Sequence, residues 1–192
     1  MQKKQQQQKK INSKRKGNRA ELELAKILTK RFGLPFTRVG VSSGARPKQV
    51  ELDDSAKQVF TSDLVAPSGF RFSVECKAVN VNIDLLAQSA LLDKFLDQAA
   101  SDAASIGKLP LLCWKRNRKG WIAAVPIRSF SIRLDKTFRP DYCSLYRDWV
   151  ICRLDALLVM DTEELWFDTQ ELPHRSNTLI QNNTRRLIAD DK

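Results

Sequence analysis

The sequence predicts an α/β fold, a small mixed β-sheet core flanked by helices. Three observations carry this. A helical pattern of apolar residues spans 17–33, short extended runs with turn residues fill 34–78, and a second helical pattern over 84–106 leads into two further extended runs. The resulting order is helix, strand, hairpin, helix, hairpin, which places helices against a sheet in one layered core.

The first helix reads "GNRAELELAKILTKRFG". Ala20, Leu24, Ile27, Leu28 and Phe32 recur at helical spacing, and Glu23, Lys26 and Lys30 fall on another face. Gly33 is the expected C′ stop. Glu21 lies near the edge of the apolar stripe, in line with Leu24, Leu28 and Phe32. A carboxylate there is either a favourable contact with the helix dipole or a group looking into a site. "LPFTRVGV" then reads as a strand, "SSGARPK" as a basic loop, and residues 48–58 as an acidic inserted loop.

"TSDLVAPSGFRFSVECKA" follows, two extended runs around Pro67 and Gly69, and reads as a hairpin. On its second strand Phe72, Val74, Cys76 and Ala78 share one face, while Ser73, Glu75 and Lys77 share the other. The helix over 84–106 takes Asp84 as its cap and Gly107 as its stop, with Leu85, Leu92, Phe95, Leu96 and Ala99 turned to the sheet. "LPLLCW" and "GWIAAVPI" form a second hairpin around "KRNRKG", and Trp114 and Trp121 read as core. Beyond Ser129 the pattern weakens: "DWVICRLDALLVM" reads as one or two strands and "TEELWF" as a short capped helix. The expected organisation is a disordered basic arm over 1–13, a core over 14–128, and a C-terminal elaboration over 129–192 of the same domain or appended to it.

With 192 residues the chain suits one domain with a proper core. No apolar run is long enough to span a membrane, and the N-terminus lacks the apolar segment of a secretory signal, so a cytoplasmic setting is expected. Cys76, Cys113, Cys143 and Cys152 are scattered without a CxxC pair and read as free thiols. The net charge of +11 is concentrated at the start: residues 1–19 hold eight of the 33 Lys and Arg and no acid. Such an arm is either a solubilising tail or a contributor of salt-sensitive affinity for a polyanion.

The chemistry narrows by elimination. His174 is the sole histidine, and neither a Walker A nor a GxGxxG loop is present, which leaves carboxylate chemistry. Asp63 and Glu75 lie twelve residues apart around Gly69, so a hairpin would bring them level. Two carboxylates, waters and a phosphate suit Mg²⁺. Lys77 would share that face and stabilise charge on the phosphate, and Glu21, arriving from the first helix, would either add an outer-shell ligand or complete a second metal position. The other reading of the same residues is a wet sheet face with solvated charges.

The stretches "KRKGNRAELEL", "VGVSSGAR", "SDLVA", "FSVECKA" and "PLLCWKRNRKGWIAA" occur in the order found in PD-(D/E)xK nucleases, the restriction-endonuclease-like fold. The arrangement resembles archaeal-type Holliday junction resolvases most closely, over roughly residues 14–125. That resemblance implies an active site of Glu21, Asp63, Glu75 and Lys77, with Asp63, Glu75 and Glu21 as metal ligands. Ser62 stands where the superfamily name has proline, and the segment between Arg46 and Asp63 is longer than in compact resolvases.

The resemblance further implies a Mg²⁺-dependent endonuclease, with Mn²⁺ able to substitute, acting as a homodimer on branched DNA such as a four-way junction. Its setting would be the nucleoid or the DNA of an infected cell. Candidate DNA contacts are Lys14, Arg15, Lys16 and Arg19 at the catalytic helix, Ser43 and Arg46 in the basic loop, and Lys115, Arg116, Arg118 and Lys119 at the second hairpin turn. Two rival functions are a nuclease of the same fold on flapped, nicked or linear DNA, and a non-catalytic basic DNA-binding protein.

Overall fold

The computed structural model describes residues 2–39, 61–79, 83, 87–116, 120–130, 143–160 and 163–168, with backbone alone for 2–13, 116 and 163–164. In chain order the elements are α1 (Gln2–Phe32), β1 (Thr37–Arg38), β2 (Leu64–Val65), β3 (Phe72–Val79), α2 (Ala90–Ala104), β4 (Leu109–Arg116) and β5 (Trp121–Pro126). A 3-10 turn (Ile127–Phe130), β6 (Cys143–Tyr146), β7 (Trp149–Arg153), α3 (Leu154–Leu158) and α4 (Glu163–Trp166) complete the described elements.

The main sheet has five strands in the order β3-β4-β5-β7-β6. β3 and β4 run parallel and every other neighbouring pair antiparallel, so the sheet is mixed, as the sequence predicts. Alternation along the strands divides the core in two. Phe72, Val74, Cys76, Leu111 and Cys113 pack with Leu24 and Leu28 of α1. Leu112, Trp114, Ala124, Trp149 and Ile151 pack with Leu92, Leu96 and Ala99 of α2 on the opposite side. Burial of both faces is what a parallel pair with a helical crossover requires. Trp114 and Trp121 are buried, as expected of them.

Both helix stops are where glycine was expected. Gly33 sits at φ 64 and donates to the Thr29 carbonyl, and Gly107 sits at φ 66. These left-handed positions suit a residue without Cβ.

Three sequence expectations need correction. The 61–78 stretch does not form a hairpin ladder: β2 pairs with β1 (Arg38↔Leu64, Thr37↔Val65), and β3 pairs with β4. The physical reason lies in Asp63, whose backbone N–H reaches the Val74 carbonyl at 3.0 Å while its side chain takes the Cys76 N–H. A side-chain carboxylate thus occupies the donor that the next ladder bond would have used. The second helix starts at Ala90 rather than 84, because Ser89 is its cap and accepts from the Leu92 amide; Asp84 lies outside the described residues.

Third, "DWVICRLDALLVM" is one strand and a short helix, β7 and α3. β7 lies between β5 and β6 inside the sheet, and Trp166 and Phe167 join Phe32, Phe70 and Phe72 in one aromatic group. The described residues of the C-terminal elaboration are therefore integral to the core.

Candidate active site

The site forms at β3, one of the two outer strands of the main sheet. With Phe72, Val74 and Cys76 committed to the α1 side, the two-residue period turns Glu75 and Lys77 toward α2. Glu75 is 6% exposed. Its Oε1 takes a short contact from Lys77 Nζ and accepts from Gln98 Nε2 at 2.9 Å. The Gln98 Oε1 accepts in turn from Lys77 Nζ at 3.0 Å, closing a three-membered network between strand and helix. Phe95, one turn earlier on α2, places its ring 5.6 Å beneath the Lys77 ammonium.

Asp63 reaches the same strand without belonging to it. Its carbonyl accepts from Val39 N at 3.1 Å, its N–H bonds Val74, and its Oδ2 accepts from the Cys76 amide at 2.8 Å. The aspartate is thereby pinned beside the peptide that separates Glu75 from Lys77. Just before it, Ser62 and Ser73, both buried, share a hydroxyl bond of 2.5 Å. Ser62 thus ties the segment leading into β2 to β3.

Electrostatics set this pair apart. Burial, then the Asp63 charge, pushes the Glu75 carboxyl up to about 7, against the opposing pull of Lys77. Asp63 is raised in the same way by burial, offset by the Cys76 N–H, with the charge of Glu21 adding to the rise. Asp102 on α2 contributes negative charge to both. A buried and a partly buried carboxylate that resist joint ionisation form a site a divalent cation would relieve, and their hard oxygens match Mg²⁺-type ions. Among the described residues no group of three or more His, Cys, Asp and Glu side chains stands ready to hold a metal, so the fit rests on these two, with water completing the shell.

Glu21 comes close enough for its charge to bear on Asp63, and its carboxylate is engaged with Arg38. Arg38 Nη2 also donates to Asn18 Oδ1 at 3.0 Å, so α1 grips β1 beside the site. Of the expected DNA contacts, Lys14, Arg15 and Arg19 are exposed on α1. Lys16 donates to the Val79 carbonyl at the end of β3 at 3.1 Å. Lys115 pairs with Glu23 and lies 5.6 Å over the Trp121 ring, joining β4 to α1. Arg116 ends β4. Ser43, Arg46, Arg118 and Lys119 lie outside the described residues.

Sequence reasoning missed Gln98, Arg38, Asn18 and Ser73. For Gln98 a signal existed: it lies three residues after Phe95, on the flank of the stripe formed by Leu92, Leu96 and Ala99. A polar residue there borders the sheet face that carries Glu75 and Lys77. Arg38 gave no such signal, because its partners sit 17 and 20 residues away.

A glutamate and a lysine on one face of an outer strand, and an aspartate bonded to the amide between them, define the PD-(D/E)xK class of nuclease within a restriction-endonuclease-like sheet. The family model described as "Phage putative PDDEXK endonuclease" matches residues 12–167, and the chain belongs to that family. The matched span includes β6, β7 and α4, in agreement with their place in the core. Neither the comparison with curated proteins nor that with solved structures gave a match.

Proposed function

We propose that the protein is a Mg²⁺-dependent DNA endonuclease, with a four-way junction as its preferred substrate. The observation that carries the reading is the bond from the Cys76 amide to Asp63, which holds the partly buried Asp63, the buried Glu75 and Lys77 at one outer strand. Asp63 and Glu75 would hold the cation, with Mn²⁺ an acceptable substitute. The bound cation supplies Lewis-acid polarisation of the scissile phosphate. Lys77 orients the attacking water and stabilises negative charge developing on the phosphate oxygens. Gln98 keeps Lys77 and Glu75 in register, so the lysine needs no rearrangement before it acts. Glu21 supports the site by bracing Arg38 and by adding negative charge near Asp63.

Lys14, Arg15 and Arg19, exposed midway along the catalytic helix, would take DNA phosphates without reading sequence. The junction and a homodimer with two sites cutting strands of opposite polarity are supported by the likeness to resolvases in the order of the sequence motifs. The test is cleavage of a labelled four-way junction with Mg²⁺, wild type beside Glu75→Ala. Paired symmetric nicks that disappear in the variant are expected. Metal-dependent cutting of linear or flapped DNA alone would keep the site and reject the junction. Binding without any cleavage would reject catalysis.

A further inference from the structure

All four cysteines lie in one row across the main sheet. Cys76 is opposite Cys113, Cys113 opposite Ala123, Ala123 opposite Cys152, and Cys152 opposite Cys143. The two ends of that row differ. Cys76, Cys113 and Cys152 are buried, whereas Cys143 on the outer strand β6 is exposed.

The turn between β6 and β7 sets the geometry of the outer pair. It is a two-residue connection, Arg147 and Asp148, with Arg147 at φ 52, closed by Tyr146 opposite Trp149. Pairs in an antiparallel ladder alternate between hydrogen-bonded and non-hydrogen-bonded, and a two-residue turn is closed by a hydrogen-bonded pair. Counting outward, Leu145–Val150 is non-bonded, Ser144–Ile151 bonded, and Cys143–Cys152 non-bonded. A non-bonded pair brings its Cα atoms to about 4.5 Å with both side chains on one face, within the roughly 4.4–6.8 Å that a disulfide spans.

We propose that Cys143 and Cys152 are a redox-closable pair, which a low-molecular-weight disulfide such as oxidised glutathione converts into a cross-strand cystine. The exposed Cys143 thiolate attacks one sulfur of glutathione disulfide and expels a glutathione thiolate. Cys152 then loses its proton and attacks the Cys143 sulfur of the mixed disulfide, expelling the second glutathione. The protein gives up two protons and two electrons as the S–S bond forms, and the oxidant becomes two thiols. Burial pushes the Cys152 thiol up to about 12, which makes the second step the slow one and its rate steeply dependent on pH. Cys76 and Cys113 are both buried, so the oxidant does not reach them and they stay reduced. The product ties the outer strand β6 to β7, four strands from Glu75, and leaves the candidate active site as it is.

The experiment treats the reduced full chain with glutathione disulfide at about pH 8.5, near the pKa of an ordinary free thiol, for long enough to let the slower second step finish. Denaturation in iodoacetamide and peptide mapping follow. The expected result is that two of the four cysteines resist alkylation and appear as a linked Cys143–Cys152 peptide. Cys152→Ser should stop at a glutathione adduct on Cys143, and Cys143→Ser, a change at an exposed position, should leave every remaining thiol alkylated. A persistent glutathione adduct in the wild type, a Cys143 link between two chains, a link to Cys76 or Cys113, or no oxidation at all would each overturn the pairing.

Discussion

Gln98 and Glu75 meet across the gap between α2 and β3, the amide Nε2 donating to the carboxylate at 2.9 Å. Because the same amide accepts from Lys77 through its oxygen, it can act only in one orientation. Gln98→Ala is expected to lower kcat for DNA cleavage by about 10–100-fold with little change in KM, the usual cost of losing an orienting partner. The fold should persist, since residue 98 is exposed on the flank of the helix. Steady-state cleavage kinetics beside a circular dichroism spectrum check both halves, and an unchanged kcat would make the network a bystander.

Asp63 combines two roles that substitutions can separate. Its carboxylate satisfies the Cys76 amide, a charge-assisted bond at a largely buried position. Asp63→Ala should lose cleavage and also stability, by about 1–3 kcal/mol from the stranded donor. Asp63→Asn retains an oxygen for that amide, so it should lose cleavage while losing much less stability. Urea unfolding of both variants decides the matter: equal stability loss would mean that the amide bond contributes little.

Arg38 and Glu21 offer a third test. The pair is partly buried, at 22% and 18% side-chain exposure, and is extended to Asn18. Single changes Glu21→Gln and Arg38→Lys should each weaken cleavage, and the double variant should be less impaired than the product of the two. The coupling expected for a shared network is about 0.5–3 kcal/mol in a double-mutant cycle. Strict additivity would show that the two side chains act separately, and would return Glu21 to a direct role at the metal.

What the sequence made legible follows from which forces are local. Leu24, Leu28, Leu92 and Leu96 announce their helices by spacing, and Gly33 and Gly107 announce where helices stop. The alternation of Val74, Glu75, Cys76 and Lys77 places the two charged groups on one face of the strand by period alone. The partner of each strand is a different matter. Nothing in "TSDLVA" says that β2 prefers β1 to β3, because the choice rests on one aspartate side chain replacing a ladder bond. The C-terminal segment was opaque for a related reason. Its strands are short, and the burial of Trp166 depends on Phe32 and Phe70, far away in the chain.

That aromatic group yields a prediction about where the domain ends. Trp166 is 2% exposed, and its ring stacks on Phe70 at 6.2 Å with an interplanar angle of 9°. Trp166→Ala should cost about 3–5 kcal/mol, as for large core aromatics generally. Truncation after residue 128 should do more, since it removes β7 from inside the sheet and exposes the second side of β5. A truncated chain that gives dispersed amide NMR signals and cuts DNA would show that the elaboration is dispensable.

The last prediction concerns protons at the carboxylate pair. Glu75 is raised from 4.5 to about 7 in the folded protein, with burial the larger cause and Asp63 the next. An acid raised on folding is protonated in the folded state and ionised in the unfolded state across that interval. The folded state then binds more protons, so stability falls as pH rises from about 4.5 to about 7 and levels off above it. Asp63, also raised, acts in the same sense. At 1.36 kcal/mol per unit the Glu75 contribution has a ceiling of about 3 kcal/mol. In EDTA, urea unfolding between pH 5 and pH 8 should show this decline, and Glu75→Gln, which carries no titrating proton, should be flatter by the Glu75 share. A divalent cation competes with that proton, so Mg²⁺ should bind more tightly as pH rises toward neutrality and should restore the stability lost there. Parallel pH profiles for wild type and Glu75→Gln would mean that Glu75 is ionised throughout and does not share in the proton uptake.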